Sequence, residues 1–199
     1  MSPKHPRAIA VTVVTPPGYV HSQAFHEVAE GLYHALRSLG HPVTLTDQLH
    51  LRDHCHIILG ANLLPGDAAL SPDSVIYNLE QIFVGSPWLR DDLLTLLRRY
   101  PVWDYNRDNV TALRGLGARA LYVPLGYVPE LTRIPTLPPE DEDIDVLFFG
   151  SLNPRRMRVL DALDAAGLRV QALAGVYGPE RDAFIARARL CLNVHFYEA

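Results

Sequence analysis

The chain has 199 residues, of which 48% are hydrophobic and 20% are charged, a composition typical of a folded globular protein. The formal net charge of -4 at pH 7 argues against a general nucleic-acid-binding protein, which would carry a basic face. No apolar run reaches the roughly 18 residues that a membrane-spanning helix requires, and we expect no signal peptide. Cys55 and Cys191 lie in strand-like contexts, which predicts buried free thiols in a cytoplasmic protein.

The first part of the chain alternates strand patterns with helix patterns. Residues 8–14, AIAVTVV, form a β-branched run that predicts a strand buried on both faces. One helix is predicted over residues 22–39, a second begins near the capping residue Ser86, and a third covers residues 107–117. Additional strands are predicted at residues 43–47, 56–61, 74–82, 102–105 and 120–127. This alternation predicts an α/β fold whose mostly parallel sheet is covered on both sides.

The composition changes after residue 128. Residues 1–128 are predicted to form one α/β domain, and residues 129–143 are rich in proline and acidic residues, which is typical of an extended linker. The alternation restarts over residues 144–199 with about three strands. Because three parallel strands leave sheet edges uncovered, we expect this second domain to be incomplete. It is either cut from a longer protein or completed by a partner, and self-association is one such arrangement.

The turn TPPGYVHSQAF, residues 15–25, follows the first predicted strand and so lies at the edge of the sheet where ligands bind. Gly18 would let the backbone approach a substrate closely. His21 is a candidate general base for an acceptor hydroxyl, because the ordinary pKa of histidine, about 6.5, suits that role. Ser22 is a candidate substrate contact beside it. The alternative is a turn in which His21 or Ser22 caps the following helix.

Polar residues also close three other predicted strands of the first domain. Side chains at strand ends can point into a cleft, although they can equally cap the next turn. These acceptor-side candidates are Asn78, Glu80 and Gln81 at the end of one strand, Tyr105 and Asn106 at the end of another, and Tyr127 at the last.

The sequence VLFFGSLNPRR, residues 146–156, places a small turn and two arginines after a buried strand. Helix amino termini favour anions, glycine allows close approach of the backbone, and arginine matches phosphate oxygens, so the pattern predicts a phosphate site. Its candidate residues are Gly150, Ser151, Asn153, Arg155 and Arg156. The alternative is a capped helix with solvated arginines. No GxGxxG motif is present, so we expect no nicotinamide dinucleotide cofactor.

Three histidines and a cysteine occur in HLRDHCH, residues 50–56. A zinc site needs ligands that converge, whereas adjacent residues of a strand alternate between its faces. No second cluster of ligands is evident. We therefore interpret this segment as a loop that enters a strand and expect no bound metal.

Several longer segments resemble one enzyme family. They are YNLEQI, SPWL, VWDYNRDNV and VPLGYVPEL in the first half, and DIDVLFFGSLNPRRMRVLDAL and GVYGPERDAFIARARLCLNVHFYEA in the second. They resemble glycosyltransferases of the two-Rossmann-domain B fold, in particular the bacterial glycosyltransferase-like group related to spore-maturation proteins. The resemblance covers nearly the whole chain. In relatives, the acidic and glycine-rich loops that bind the donor lie further along the second domain, beyond Ala199.

The resemblance implies two Rossmann-like domains with a nucleotide-sugar, of uridine or another nucleoside diphosphate, in the cleft between them. It implies acceptor contacts mainly from the first domain, donor contacts mainly from the second, and a reaction without metal or cofactor. Relatives place a donor-contacting loop near NVHFYEA, which makes His195 and Glu198 candidate donor contacts. Gly175 and Tyr177 in GVYGPERD are further donor-side candidates, although a turn before a helix is the favoured explanation of this stretch and needs no ligand.

Two functions are therefore expected from the sequence. The first is a glycosyltransferase, or a fragment of one, that moves a sugar from a nucleotide donor to an unidentified acceptor. The alternative is a non-catalytic α/β module that binds a small ligand or a protein partner.

Overall fold

The computed structural model of the protein describes residues 7–83, 85–86 and 89–196. These residues divide into two compact units, one that ends at Leu131 and one that begins at Thr132. The division lies within the segment for which the sequence predicts a linker, residues 129–143. Each unit is an α/β structure built on a parallel sheet.

The described part of the first unit contains a parallel sheet of six strands in the order β2-β1-β3-β4-β5-β6. Its strands are β1 Ala8–Val13, β2 Val43–Thr46, β3 His54–Leu59, β4 Val75–Asn78, β5 Val102–Asp104 and β6 Ala120–Tyr122. Its helices are α1 His26–Ser38, α2 Asp91–Arg99 and α3 Arg107–Gly115, and short 3-10 turns cover Val20–Phe25, Ala61–Leu63 and Pro129–Leu131. The parallel sheet predicted from the alternation of strands and helices is confirmed.

Helices cover both faces of this sheet. On one face, α1 packs through Ala29 and its neighbours against Val11 and Val13 of β1. On the other face, α2 and α3 pack against β3, β4 and β5, with Leu96 and Leu113 fully buried. Because β1 lies between two strands and two apolar layers, it reads as a continuous apolar run, as the sequence predicts.

Two strands end earlier than predicted. The strand expected over residues 74–82 stops at Asn78, where its neighbour β5 stops at Asp104 and offers no further backbone partner. The strand expected over residues 120–127 stops at Tyr122 for the same reason, since β5 pairs with it over three residues only. The residues that follow both strands are therefore loops at the carboxyl edge of the sheet.

The helix expected near Ser86 begins later, at Asp91. The Ser86 hydroxyl does not cap it, because it donates to the backbone carbonyl of Gln81 at 3.0 Å. Arg90, the residue before the helix, has an extended backbone, and its guanidinium pairs with Asp92 in the first helical turn. Pro87, which follows Ser86, lies outside the described residues.

The described part of the second unit contains a parallel sheet of three strands in the order β8-β7-β9. Its strands and α-helices are β7 Val146–Phe149, α4 Pro154–Ala165, β8 Val170–Leu173, α5 Gly178–Ala186 and β9 Cys191–Leu192, and a 3-10 turn covers Pro139–Asp141. Ile144, Leu147 and Leu173 form its small buried core. Among the helices described in either unit, none has both the length and the apolar composition needed to cross a bilayer.

His56 is a fully buried polar residue of β3. The backbone N–H of Leu51 donates to its Nε2 at 3.2 Å, so Nε2 is an acceptor and the ring proton lies on Nδ1. The Nδ1–H then donates to Thr12 Oγ1 at 2.9 Å. Burial lowers the pKa of His56, because the charged imidazolium would lose its hydration.

We predict that acid destabilises the first unit through His56. Its folded-state pKa lies below the ordinary value of 6.5, so the unfolded chain binds the proton first as the pH falls below 6.5. The free energy of unfolding should decrease by at most about 1.4 kcal/mol per pH unit in that range. Denaturant unfolding at pH 7 and pH 5 measures this slope. His56→Gln should flatten it and His41→Gln, at an exposed position, should not; an equal slope in His56→Gln would contradict the assignment.

Candidate functional site

The carboxyl ends of the parallel strands lie at one edge of the first sheet. Strands β2 and β3 flank β1 on opposite sides, so the order of the strands reverses at β1. In open α/β sheets, ligands bind outside the carboxyl ends of the strands near such a point. The loops that follow β1, β3, β4 and β5 are therefore the ones to inspect for functional side chains.

The loop that follows β1 lines an open cavity of about 340 Å³, formed by residues 15–20 and Gln23. Gly18 lies in this loop with φ +76°, a conformation that favours glycine. His21 is exposed, and its ring packs edge to face against Tyr19. Ser22 is fully buried and its hydroxyl donates to the carbonyl oxygen of Tyr19 at 3.0 Å. The expectation that Ser22 contacts a substrate is therefore corrected, because its hydroxyl stabilises the turn.

Two asparagines bind a fully buried aspartate at the ends of β4 and β5. Asn78 Nδ2 donates to Asp104 Oδ2 at 2.7 Å, and Asn109 Nδ2 lies 3.2 Å from each oxygen of Asp104. The backbone N–H of Asn106 donates to Asp104 Oδ1 at 2.8 Å. Burial raises the pKa of the Asp104 carboxyl, against the opposing effect of these hydrogen bonds.

The same two asparagines hold the backbone of Glu80. Asn78 Nδ2 and Asn109 Nδ2 donate to the carbonyl oxygen of Glu80 at 2.8 and 2.9 Å. Asn109 Oδ1 in turn accepts the backbone N–H of Ile82 at 3.0 Å. A side-chain amide carries two N–H donors, so each asparagine can serve both Asp104 and Glu80. The loop after β4 is thus tied to β5 and α3 by side-chain hydrogen bonds.

The Glu80 carboxyl is partly buried at this edge of the sheet. Its Oε1 accepts a hydrogen bond from Asn62 Nδ2 at 3.0 Å, and Asn62 lies in the turn after β3. Its Oε2 accepts no hydrogen bond from the described residues. Burial raises the pKa of Glu80, since little compensates the lost hydration of its charge. A carboxyl with a raised pKa and an unused oxygen has the properties of a general base.

Three other predicted acceptor-side residues lie in the same loops. Burial and the nearby charges of Asp104 and Glu80 raise the pKa of Tyr105. The Asn106 side chain caps α3, since its Oδ1 accepts two backbone N–H groups of the first turn. This confirms the alternative interpretation, in which the residue caps the next turn. Gln81 is exposed.

The sequence interpretation missed Asp104, Asn109 and Asn62. Asp104 is an acidic residue within the apolar strand VWDY, and that contrast is the signal that could have identified it. Asn109 lies inside a helical pattern, where asparagine is unfavourable unless its side chain has a specific partner. Asn62 follows a strand end, as the predicted candidates do, in HIILGAN.

Tyr127 is 77% exposed and lines a different feature, a cavity of about 350 Å³ between α1 and residues 124–131. The lining is mainly apolar and includes Leu32 and Leu131. Tyr77 lies at this cavity and donates its hydroxyl to the carbonyl of Val123 at 2.8 Å, and burial raises the pKa of Tyr77 to about 12. Tyr127 is therefore not part of the group around Glu80.

In the second unit, the predicted phosphate-binding residues contact the chain itself. Arg155 donates to the carbonyl of His195, and Arg156 Nε donates to the carbonyl of Val194 at 2.9 Å. Asn153 caps α4, accepting the Arg156 N–H at 2.9 Å, and donates through Nδ2 to the carbonyl of Phe196 at 2.7 Å. The carbonyls of three successive residues, 194–196, are thus held by side chains at the start of α4.

Aromatic rings complete the surroundings of Arg156. Its guanidinium lies 5.1 Å from the ring centroids of both Phe148 and Phe196, and its Nη1 donates to the carbonyl of Ser151 at 2.6 Å. Burial lowers the pKa of Arg156. Gly150 has φ +139°, a backbone conformation that residues other than glycine rarely adopt. The capped helix of the alternative interpretation is confirmed by Asn153, whereas Arg156, which that interpretation leaves in solvent, is partly buried and binds the segment after β9.

The remaining donor-side candidates are placed as follows. Gly175 has φ +71° in the turn after β8, and Tyr177 is the extended residue before α5. These positions agree with the interpretation of this stretch as a turn before a helix. His195 accepts from Arg155 through its carbonyl. Glu198 lies outside the described residues.

No group of three or more His, Cys, Asp or Glu side chains in the described ranges is arranged to hold a metal ion. In the segment HLRDHCH, His56 points into the core toward Thr12, and His54 bonds the carbonyl of Arg52. These two histidines therefore do not converge.

Comparison with known proteins adds two viral relatives. No protein-family model matches the chain, and no solved structure matches it. "Uncharacterized protein L140" of Acanthamoeba polyphaga mimivirus is 27% identical over 128 residues, which is 62% of this chain and 40% of that protein. "Uncharacterized protein L138" of the same virus is 39% identical over 98 residues, 49% of this chain and 9% of that protein. The chain thus spans less than half the length of either relative.

We predict that Glu80→Gln stabilises the protein. The amide has no charge to desolvate and can still accept from Asn62, so the free energy of unfolding at pH 7 should increase by about 1 kcal/mol. The raised pKa of Glu80 means that the folded state binds its proton more tightly than the unfolded state. The gain should therefore vanish below pH 4.5, the ordinary value, where both states are protonated.

Denaturant unfolding at pH 7 and pH 4 measures this difference. Glu140→Gln, the same change at an exposed position, is the matched control and should leave stability within about 0.5 kcal/mol. A decrease in stability for Glu80→Gln at pH 7 would show that its carboxylate has a stabilising partner.

We further predict that Arg156→Ala loosens the segment after β9. The variant loses hydrogen bonds to the carbonyls of Val194 and Ser151 together with two ring contacts, so the second unit should lose about 2 kcal/mol of stability. Hydrogen exchange of residues 191–196, followed by mass spectrometry, should become at least tenfold faster. Arg158→Ala, on the exposed part of the same helix, is the control. Unchanged exchange in Arg156→Ala would contradict the role assigned to Arg156.

Proposed function

We propose that this chain forms part of a glycosyltransferase of the B fold and that its first unit binds the hydroxyl-bearing acceptor at Glu80. The observation that carries the proposal is the Glu80 carboxyl at the carboxyl edge of a parallel α/β sheet, where Oε1 is bound by Asn62 and Oε2 accepts no hydrogen bond within the described part of the chain. The parallel α/β architecture of both units is consistent with the resemblance to that enzyme family.

The proposed reaction needs a base on the acceptor side. Glu80 accepts the proton of the acceptor hydroxyl as the hydroxyl oxygen attacks the anomeric carbon of the sugar. The bond between that carbon and the diphosphate oxygen breaks, and the nucleoside diphosphate leaves with the electron pair. The raised pKa of Glu80 favours proton acceptance, and it makes Glu80 a better base than an ordinary exposed carboxylate.

Glu80 replaces His21 as the preferred base in this proposal. His21 is exposed beside Tyr19, whereas Glu80 is partly buried and is oriented by Asn62. A base that is already oriented loses less entropy when the acceptor binds. His21, together with Gly18, remains a candidate for contact with the acceptor at the loop after β1.

On the donor side, the start of α4 supports a diphosphate site less strongly. The helix amino terminus favours an anion. However, Arg155 and Arg156 already donate to backbone carbonyls of residues 194–196. A diphosphate would have to compete with those carbonyls, and its higher negative charge makes it the stronger acceptor. The proposed partner is a nucleotide-sugar, which supplies that diphosphate.

The test is release of nucleoside diphosphate from a panel of nucleotide-sugars in the presence of a panel of hydroxylated acceptors. We expect Glu80→Gln to lower the initial rate at least about 100-fold, the usual contribution of a general base. Glu140→Gln should retain the wild-type rate. His21→Gln is compared in parallel, and a large loss there with none in Glu80→Gln would assign the base to His21. Absence of acceptor-dependent release with every pair would contradict the proposed activity.

A second candidate function is a non-catalytic module that binds a small ligand. The observation that favours it is the engagement of both arginines by the chain's own carbonyls, with which a phosphate at this site would have to compete. Calorimetric titration with uridine diphosphate, with wild type against the double variant Arg155→Ala and Arg156→Ala, distinguishes the two functions. Binding by the wild type that the double variant loses supports the glycosyltransferase. Absence of binding to the wild type supports the module.

A further inference from the structure

The hydrogen bonds behind Glu80 assign a role to a residue that no substrate can touch. We propose that Asp104 is a positioning residue for the proposed base, because through Asn78 and Asn109 it holds the backbone of Glu80 and so the place of the Glu80 carboxyl. The inference rests on the proposed function, since the role lies within that site. Its test also includes a measurement that needs no turnover.

The first step of the argument is the rigidity of Asp104 itself. Its carboxylate has no exposed surface. It accepts N–H groups from three places, which are the end of β4, the residue before α3 and the body of α3. In the described part of the chain, no cationic side chain forms an ion pair with Asp104. The charge of Asp104 is therefore stabilised by these N–H donors. Any movement that turned a donor away from the carboxylate would cost free energy.

The second step is the orientation of the two amides. If the side chain of Asn78 or Asn109 turned by a half rotation about its terminal bond, its carbonyl oxygen would face the carboxylate of Asp104. That contact is repulsive, so Asp104 selects the orientation in which each NH₂ group points toward it. The second N–H of each amide then reaches the carbonyl oxygen of Glu80, at 2.8 Å from Asn78 and 2.9 Å from Asn109.

The third step connects the backbone to the carboxyl. Asn109 also accepts the N–H of Ile82, so the chain is held on both sides of Gln81. With its backbone held, the Glu80 side chain reaches Asn62 at 3.0 Å and stays partly buried. Without the two amides, the loop could move outward and the carboxyl would gain hydration.

The measurement is the pKa of the Glu80 carboxyl, followed by carbon-13 NMR during a pH titration of the full chain. Asp104→Asn and Asn109→Ala should both shift the pKa of Glu80 down toward its ordinary value, because the loosened carboxyl becomes hydrated. Among the described residues, the charge of Glu80 acts on the pKa of Tyr105, and Asp104 shares its two asparagine donors with the Glu80 backbone. Asn109→Ala keeps both, so a shift in that variant cannot come from the lost charge of Asp104.

Thr12→Val is the matched control, since it removes another buried side-chain hydrogen bond of the same unit, to His56. It should lower stability without moving the pKa of Glu80. Unchanged Glu80 titration in folded Asp104→Asn and Asn109→Ala would overturn the proposal. If Asp104→Asn does not fold, Asn109→Ala and Asn78→Ala decide the question.

The acceptor-dependent rate separates this proposal from the proposed function. Where the wild type turns over, Asn109→Ala should lower kcat at least tenfold with a smaller change in KM, because the base is displaced. A shifted Glu80 pKa in an enzyme without turnover would sustain the positioning role and reject the glycosyltransferase. A rate that depends on Glu80, together with an unchanged Glu80 pKa in the variants, would support the glycosyltransferase and reject the positioning role of Asp104.

Discussion

Asp104, a buried carboxylate that forms no ion pair with a cation among the described residues, determines the structure of the candidate site. Transfer of Asp104 from water is costly unless N–H donors replace the lost hydration. The chain supplies them from the amides of Asn78 and Asn109 and the backbone of Asn106. Once these donors surround Asp104, the ends of β4 and β5, the start of α3 and the loop of Glu80 have defined relative positions. The place of Glu80 therefore follows from the need to satisfy Asp104.

In the second unit, the partly buried charge is a cation, and it is stabilised by acceptors instead of donors. Arg156 is a partly buried cation, and it is stabilised by carbonyl oxygens and by the faces of Phe148 and Phe196 rather than by a carboxylate. In both units, polar side chains at strand ends bind one another or the backbone. The two units differ in whether a polar atom of these side chains is left without a partner among the described residues. The Glu80 carboxyl retains an oxygen without a partner in the described chain, whereas the Arg156 donors hold the segment after β9.

The sequence predicted the architecture well because that depends on patterns spread over many residues. The apolar run of β1 and the alternation of strands with helices each rest on several side chains, so single exceptions do not alter them. The site depends on pairs far apart in sequence, such as Asn78 with Asp104 and Arg155 with His195. No local sequence pattern distinguishes an arginine that is available to bind phosphate from one that donates to a backbone carbonyl. The strand ends were misjudged because β4 and β6 are limited by the length of their neighbour β5.

The charge of Glu80 lowers the stability of the folded protein. Asn62 could satisfy a glutamine at this position as well as a glutamate, and the neutral side chain would avoid the cost of a partly desolvated charge. A group that costs stability and is held by an elaborate network is typical of functional sites, where rigid placement of a reactive group matters more than stability. Asp104 adds to that cost, since it is a fully buried carboxylate whose pKa burial raises. The partly desolvated charge of Glu80 is consistent with the proposed role of Glu80 as a base, which requires that charge at a defined place.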